Sequence, residues 1–132
     1  MTDEPRKLLV LVVEDDNFIR KLVIDMLKDG PYDFLEAEDG PSALYKASKH
    51  NPDVIITDLM LPMLSGSDMI RELRKHIDFA TTPIIAVTAG GSELQAEAKA
   101  AGAHLVLSKP LHVEAVVSAV ENLIASTPFL KK

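Results

Sequence analysis

The feature that most restricts how this chain can fold is the alternation of five short apolar runs with segments of helical periodicity. The runs occupy residues 8–13, 34–37, 54–57, 84–87 and 105–107. Several are continuous rather than alternating, the pattern of strands covered on both faces. Between and after them lie amphipathic stretches. Ile19, Leu22, Val23, Met26 and Leu27 fall on one face of a helix that Gly30-Pro31 ends. Pro41 suits the first turn of a second helix, and Asn51-Pro52 disfavours its continuation past His50. A third carries Met69, Ile70, Leu73 and Ile77. A fourth is expected to open at Ser92, with Gln95 completing a capping box, and to end at Gly102. The last carries Val113, Val116, Val117, Val120 and Ile124.

Five β-α units in succession imply an α/β chain with a doubly wound, parallel five-stranded sheet and helices on both faces. Right-handed crossovers leave few topologies, and the expected order is 2-1-3-4-5, the flavodoxin-like arrangement. The length of 132 residues suits one domain. The expected division is a flexible segment 1–7, a folded unit 8–126 and a tail 127–132.

Composition narrows the chemistry. There are no cysteines, which excludes disulfides and thiolate metal sites. The net charge of −6 argues against direct nucleic-acid binding, because phosphate contacts need Lys and Arg. The polar start is no signal peptide, and no apolar run approaches the roughly 20 residues of a membrane span. A cytoplasmic protein with no membrane partner is the expectation. His50, His76, His104 and His112 lack ligand spacing and read as surface or cap residues.

The candidate site follows from where the strands end. The first ends in Glu14-Asp15-Asp16, the third in Asp58, the fourth in Thr88 and the fifth in Ser108-Lys109. In a parallel sheet these ends share one edge, where open α/β sheets bind ligands. Two carboxylates 4 Å apart repel by about 1 kcal/mol in water and about 4 kcal/mol at an effective dielectric of 20. Glu14, Asp15 and Asp58 together therefore call for a proton or a cation. With oxygen ligands alone on offer, the cation is Mg²⁺ or Mn²⁺ rather than zinc. Lys109 adds a second positive charge and Thr88 a hydroxyl donor. Such a set suits a transferring phosphoryl group, with a carboxylate as nucleophile. Asp58, central among these groups, is the candidate.

Four segments carry a family resemblance: Val12-Val13-Glu14-Asp15-Asp16, the stretch from Asp58-Leu59-Met60 to Gly66, Thr88-Ala89, and Lys109-Pro110. Together they resemble the response-regulator receiver domain of two-component systems, over about residues 8 to 125. The resemblance implies Asp58 as phosphoacceptor and metal ligand, Asp15 as direct metal ligand, and Glu14 acting mainly through water. It also implies a metal contact from the Met60 carbonyl, Lys109 pairing with the phosphoryl group, Thr88 as switch hydroxyl, and a cis Lys109-Pro110 bond. The implied partners are a histidine kinase or His-phosphotransfer protein as donor. A downstream protein would meet the surface from Ser92 to Ile124, which comprises the fourth helix, fifth strand and fifth helix. A phosphorylation-linked homodimer stays open. The implied role is a signalling receiver that catalyses only its own phosphoryl transfer and autodephosphorylation.

One position departs from the family pattern. Many members carry Tyr or Phe three residues before the lysine, and here Val106 stands there. Three other functions stay open at this point. A pseudo-receiver that only binds partners would normally lose an acid or the lysine. A flavin-binding protein would carry Ser, Thr and Gly after the first strand. A metal-dependent phosphatase would turn over phosphate esters, but the segment after Asp58 lacks a second acid two residues on.

Overall fold

The structure, a computed structural model, describes residues 7–127. The elements run β1 (Leu8–Val13), α1 (Asn17–Leu27), β2 (Tyr32–Ala37), α2 (Gly40–His50), β3 (Val54–Asp58) and α3 (Gly66–Arg74). A 3₁₀ turn (Ile77–Phe79) follows, then β4 (Ile84–Thr88), α4 (Ser92–Ala101), β5 (Leu105–Ser108) and α5 (Val113–Ala125). All neighbouring strands pair in parallel, in the order β2-β1-β3-β4-β5, as the alternation predicts. Most of the segments expected at the two ends, 1–6 and 128–132, lie outside the described residues. Within them Thr127 is tied to α5, its hydroxyl donating to the Leu123 carbonyl at 2.7 Å. Among the described residues, no helix is long and apolar enough to cross a membrane.

The strands are apolar on both faces because two separate cores form. Leu11, Val13, Ile55 and Ala86 turn toward Ala43, Ala47, Met69, Ile70, Leu73 and Ala98 of α2, α3 and α4. Val10, Val12, Val54, Ile56, Ile85 and Val87 turn toward Val23 and Leu27 of α1 and Val116, Ala119 and Val120 of α5. Alternate residues of a strand point to opposite faces, so each strand feeds both cores. Burying a Val, Leu or Ile side chain is worth about 1.5–3 kcal/mol relative to exposure. These positions therefore hold the strand register that aligns the strand ends.

Four details differ from the sequence reading, one being Val113, read on the apolar face of the last helix but 46% exposed at the start of α5. The apolar stripe of α1 is rotated: Arg20, Val23 and Leu27 are buried, while Leu22 is 38% exposed. Ile77 is not on α3, which ends at Arg74; it opens the 3₁₀ turn and is exposed. The capping box at Ser92 does not form, because the N-cap of α4 is Gly91 and Ser92 is already helical. Gln95 instead donates its side-chain amide to Ser108 Oγ on β5, at 3.2 Å.

Candidate phosphoryl and metal site

The register of the sheet assembles the site. Val13 on β1 pairs with Thr57 on β3, so Glu14 follows beside Asp58. Asp58 pairs with Val87 on β4, one residue before Thr88, and Thr88 pairs with Ser108 on β5, one residue before Lys109. The Lys109 amide donates to the Thr88 carbonyl at 2.9 Å, which prolongs the pairing past the strand end. Residues spread from 14 to 109 in the chain thus meet at one edge.

Carboxylate oxygens of Glu14, Asp15 and Asp58 lie within 4.8 Å of one another. Glu14 and Asp58 are buried, at 5% and 7% exposure, whereas Asp15 faces solvent. The Lys109 ammonium donates to Glu14 Oε1 at 3.1 Å and to Asp58 Oδ2 at 3.2 Å. Burial pushes the Glu14 carboxyl above its ordinary range, and the charge of Asp58 adds to this. The Asp16 amide and the Lys109 ammonium pull it back in part. Burial works to lower the pKa of Lys109, but its bonds to Glu14 and Asp58 outweigh it and hold the ammonium above its ordinary value. Lys109 therefore stays cationic at neutral pH.

The donor set fits a hard divalent cation. It offers only oxygen, with neither imidazole nor thiolate. Oxygens on opposite sides of Mg²⁺ stand about 4 Å apart, from a metal–oxygen distance of about 2.0–2.1 Å. The cluster's span of at most 4.8 Å is close to that spacing, and Asp15, the exposed member, has room to adjust.

Thr88 ends β4 and Met60 follows β3, and the register sets both strand ends beside this cluster. Thr88 is fully buried at the end of β4, and its Oγ1 accepts from the Gly90 amide at 2.9 Å. The hydroxyl acts as acceptor there, so its own proton is not spent in that bond. The Met60 amide donates to Asp58 Oδ1 at 3.3 Å, and its side chain is exposed. The Lys109-Pro110 peptide is cis. Val106 is half-buried and packs against the core on the α2–α4 face.

Some neighbours of the site escape sequence reasoning. Asp16 is not in the acidic cluster; it caps α1, accepting from the Ile19 amide at 2.9 Å. Gly66 looks like an ordinary turn residue, yet a Cβ there would lie 2.3 Å from the Asp58 carbonyl oxygen and 2.7 Å from Leu59 Cα. Only glycine lets α3 begin against the backbone that carries Asp58. Arg20 is buried on α1, with its guanidinium reaching the Glu14 carbonyl. Its signal was available in the sequence: Arg20 shares a helix face with Val23 and Leu27, three and seven residues on, so a charge falls on an apolar stripe.

Residues 10–121 match the family described as the response regulator receiver domain. The chain is 30% identical over 129 residues to Histidine kinase P4 of Formosa agariphila, covering 97% of this chain and 9% of that protein. It therefore spans about a tenth of the length of that relative. The chemotaxis response regulator CheY4 of Vibrio cholerae superposes with a TM-score of 0.84 at 35% identity, over 89% of this chain and 98% of that one. The receiver domain of the sensor histidine kinase PA1611 of Pseudomonas aeruginosa PAO1 superposes with a TM-score of 0.84 at 28% identity. It covers 90% of this chain and 98% of that one, and its structure has a magnesium ion coordinated in the active-site cleft.

Proposed function

This chain belongs to the response regulator receiver domain family of two-component signalling, and from that premise we propose that it accepts a phosphoryl group on Asp58 in a Mg²⁺-dependent reaction. The observation that carries the reading is the Lys109 ammonium held between Glu14 and Asp58 at 3.1 and 3.2 Å, beside a third carboxylate. Residues 8–126 act as the receiver unit.

Asp15, Asp58, the Met60 carbonyl and Glu14, the last mainly through water, would hold the ion. When bound, Mg²⁺ (or Mn²⁺) neutralises charge on the transferring phosphoryl oxygens. An Asp58 carboxylate oxygen attacks the phosphorus of a phosphohistidine or small acyl phosphate. A P–O bond to Asp58 forms as the bond from phosphorus to the donor breaks, and the donor keeps that electron pair. Lys109 turns its ammonium to the incoming phosphoryl oxygens, and Thr88 donates its hydroxyl proton to one of them. These charge-assisted bonds exist only in the phosphorylated state, so they favour one arrangement of α4, β5 and α5 over another. Inverting a 1:99 population takes about 5.5 kcal/mol of differential interaction. A histidine kinase or His-phosphotransfer protein supplies the group, and a downstream protein reads the α4-β5-α5 surface. Water attack on the acyl phosphate returns Asp58 to its carboxylate.

Incubation with Mg²⁺ and acetyl phosphate, followed by intact mass and peptide mapping, tests the proposal. One phosphoryl group is expected on the peptide containing Asp58, and none after chelation. Asp58→Asn is expected to take up none, and persistent labelling of that variant would overturn the assignment.

A further inference from the structure

Glu14 and Asp15 sit on the three-residue link between β1 and α1, a short loop that must keep its oxygens in place. Functional groups of this kind need their geometry held to about 0.5 Å by packed neighbours. One side chain spans the link. The Arg20 side chain is 6% exposed, and its guanidinium donates in three directions. Nη1 reaches the Glu14 carbonyl at 2.8 Å, Nε reaches Glu36 Oε1 on β2 at 2.8 Å, and Nη2 reaches Asn17 Oδ1 in the first turn of α1. The bracket thus joins the loop, the helix that follows it and the neighbouring strand.

The direction of the charge matters as much as the bonds. A buried guanidinium needs a counter-charge, and Glu36 supplies it. Lys21 and Arg20 hold the Glu36 carboxyl below the usual carboxylate range, so it stays ionised. The positive charge is therefore spent on β2, and Arg20 grips the loop through a neutral carbonyl. Glu14 and Asp58 keep Lys109 as their cationic partner, and together with Asp15 they retain excess negative charge for a divalent ion.

We propose that Arg20, oriented by Glu36, is a positioning residue for the metal site: it sets the loop conformation that presents Glu14 and Asp15 to the cation. This rests on the reading of the acidic cluster as a Mg²⁺ site. Loss of groups that orient metal ligands typically costs about 10–100-fold in affinity. A lysine cannot replace the fork, because one ammonium on a flexible stem does not reach three separated acceptors.

The test is Mg²⁺ affinity, by titration calorimetry and amide chemical shifts, in parallel with thermal melting in chelator. Arg20→Met and Arg20→Lys are expected to bind Mg²⁺ about tenfold more weakly than the unsubstituted chain. Arg74→Met is the comparison. Arg74 is also a part-buried guanidinium clamping carbonyls, those of Gly102 and Phe79, but on α3 away from the acids. It is expected to lower the melting temperature and leave Mg²⁺ affinity within twofold. Glu36→Gln is expected to weaken Mg²⁺ binding in the Arg20 background and to add nothing to Arg20→Lys. Should Arg20→Met not fold, Arg20→Lys and Glu36→Gln carry the decision. Unchanged affinity in the Arg20 variants, or an equal loss in Arg74→Met, would overturn the proposal while leaving the metal site intact. Absence of Mg²⁺ binding by the unsubstituted chain would overturn both.

Discussion

His104 shows how a single ring nitrogen can be structural without belonging to the site. The sequence offers it as a surface or cap residue. In the fold its Nδ1 accepts the Ile84 amide at 3.1 Å, joining the start of β5 to the start of β4, and Arg74 Nη2 lies 3.4 Å from the same atom. Acceptance at Nδ1 requires the neutral ring. The residue as a whole is exposed, but partial desolvation of the ring first, and the Arg74 charge second, push its pKa below the ordinary histidine value. A histidine with a lowered folded pKa contributes stability that is complete above its unfolded value of about 6.5 and is lost as pH falls toward the folded value. His104→Asn keeps an acceptor oxygen near the Nδ1 position but does not titrate there. Between about pH 7.5 and about pH 5.5, the unsubstituted chain is expected to lose more stability than His104→Asn. Urea unfolding at both pH values checks this, and parallel losses would refute it. Arg20 was equally legible as a charge on an apolar helix face, but its acceptors lie on a strand and a loop that only folding brings near.

At the scale of elements, the helices fall into two groups by how they begin. Asp16, Asp39 and Ser65 cap α1, α2 and α3 by accepting amides of the first turn, whereas α4 and α5 start at Gly91 and His112 with no side-chain cap bond. Asp39 accepts from the Ser42 amide at 2.7 Å. Removing such a cap typically costs about 1 kcal/mol, so Asp39→Ala is expected to lower the unfolding free energy by about that amount. Ser92→Ala is expected to change it by no more than about 0.5 kcal/mol. Chemical denaturation of the two variants measures the contrast, and equal losses would restore the capping box at Ser92. The pattern Ser-x-x-Gln was present in the sequence, but a local motif competes with tertiary partners. Here Gln95 reaches Ser108 across the gap from α4 to β5. The two helices without side-chain caps are also those proposed to move on phosphorylation.

For the whole molecule, a cation bound between the tips of β1 and β3 couples to folding, because the unfolded chain does not assemble the carboxylates. Mg²⁺ at a hundredfold over its dissociation constant is expected to stabilise the fold by about 2.7 kcal/mol. Thermal melts with Mg²⁺ and with chelator read this. Asp15→Asn and Asp58→Asn are each expected to lose most of the increment, and an undiminished increment in both would place the ion elsewhere. The order and type of the elements were determined by the sequence itself, since apolar runs of strand length and helical periodicity are local properties of consecutive residues. The membership of the acidic cluster was also legible, because a parallel sheet must bring all its strand ends to one edge. Only the tertiary structure decided which side of α1 is buried, that Asp16 serves the helix instead of the site, that Gly66 abuts the Asp58 carbonyl, and that Arg20 braces the loop from Glu36. Each of those depends on distances between segments far apart in the chain, and such distances are set by packing two cores against one sheet rather than by any local pattern.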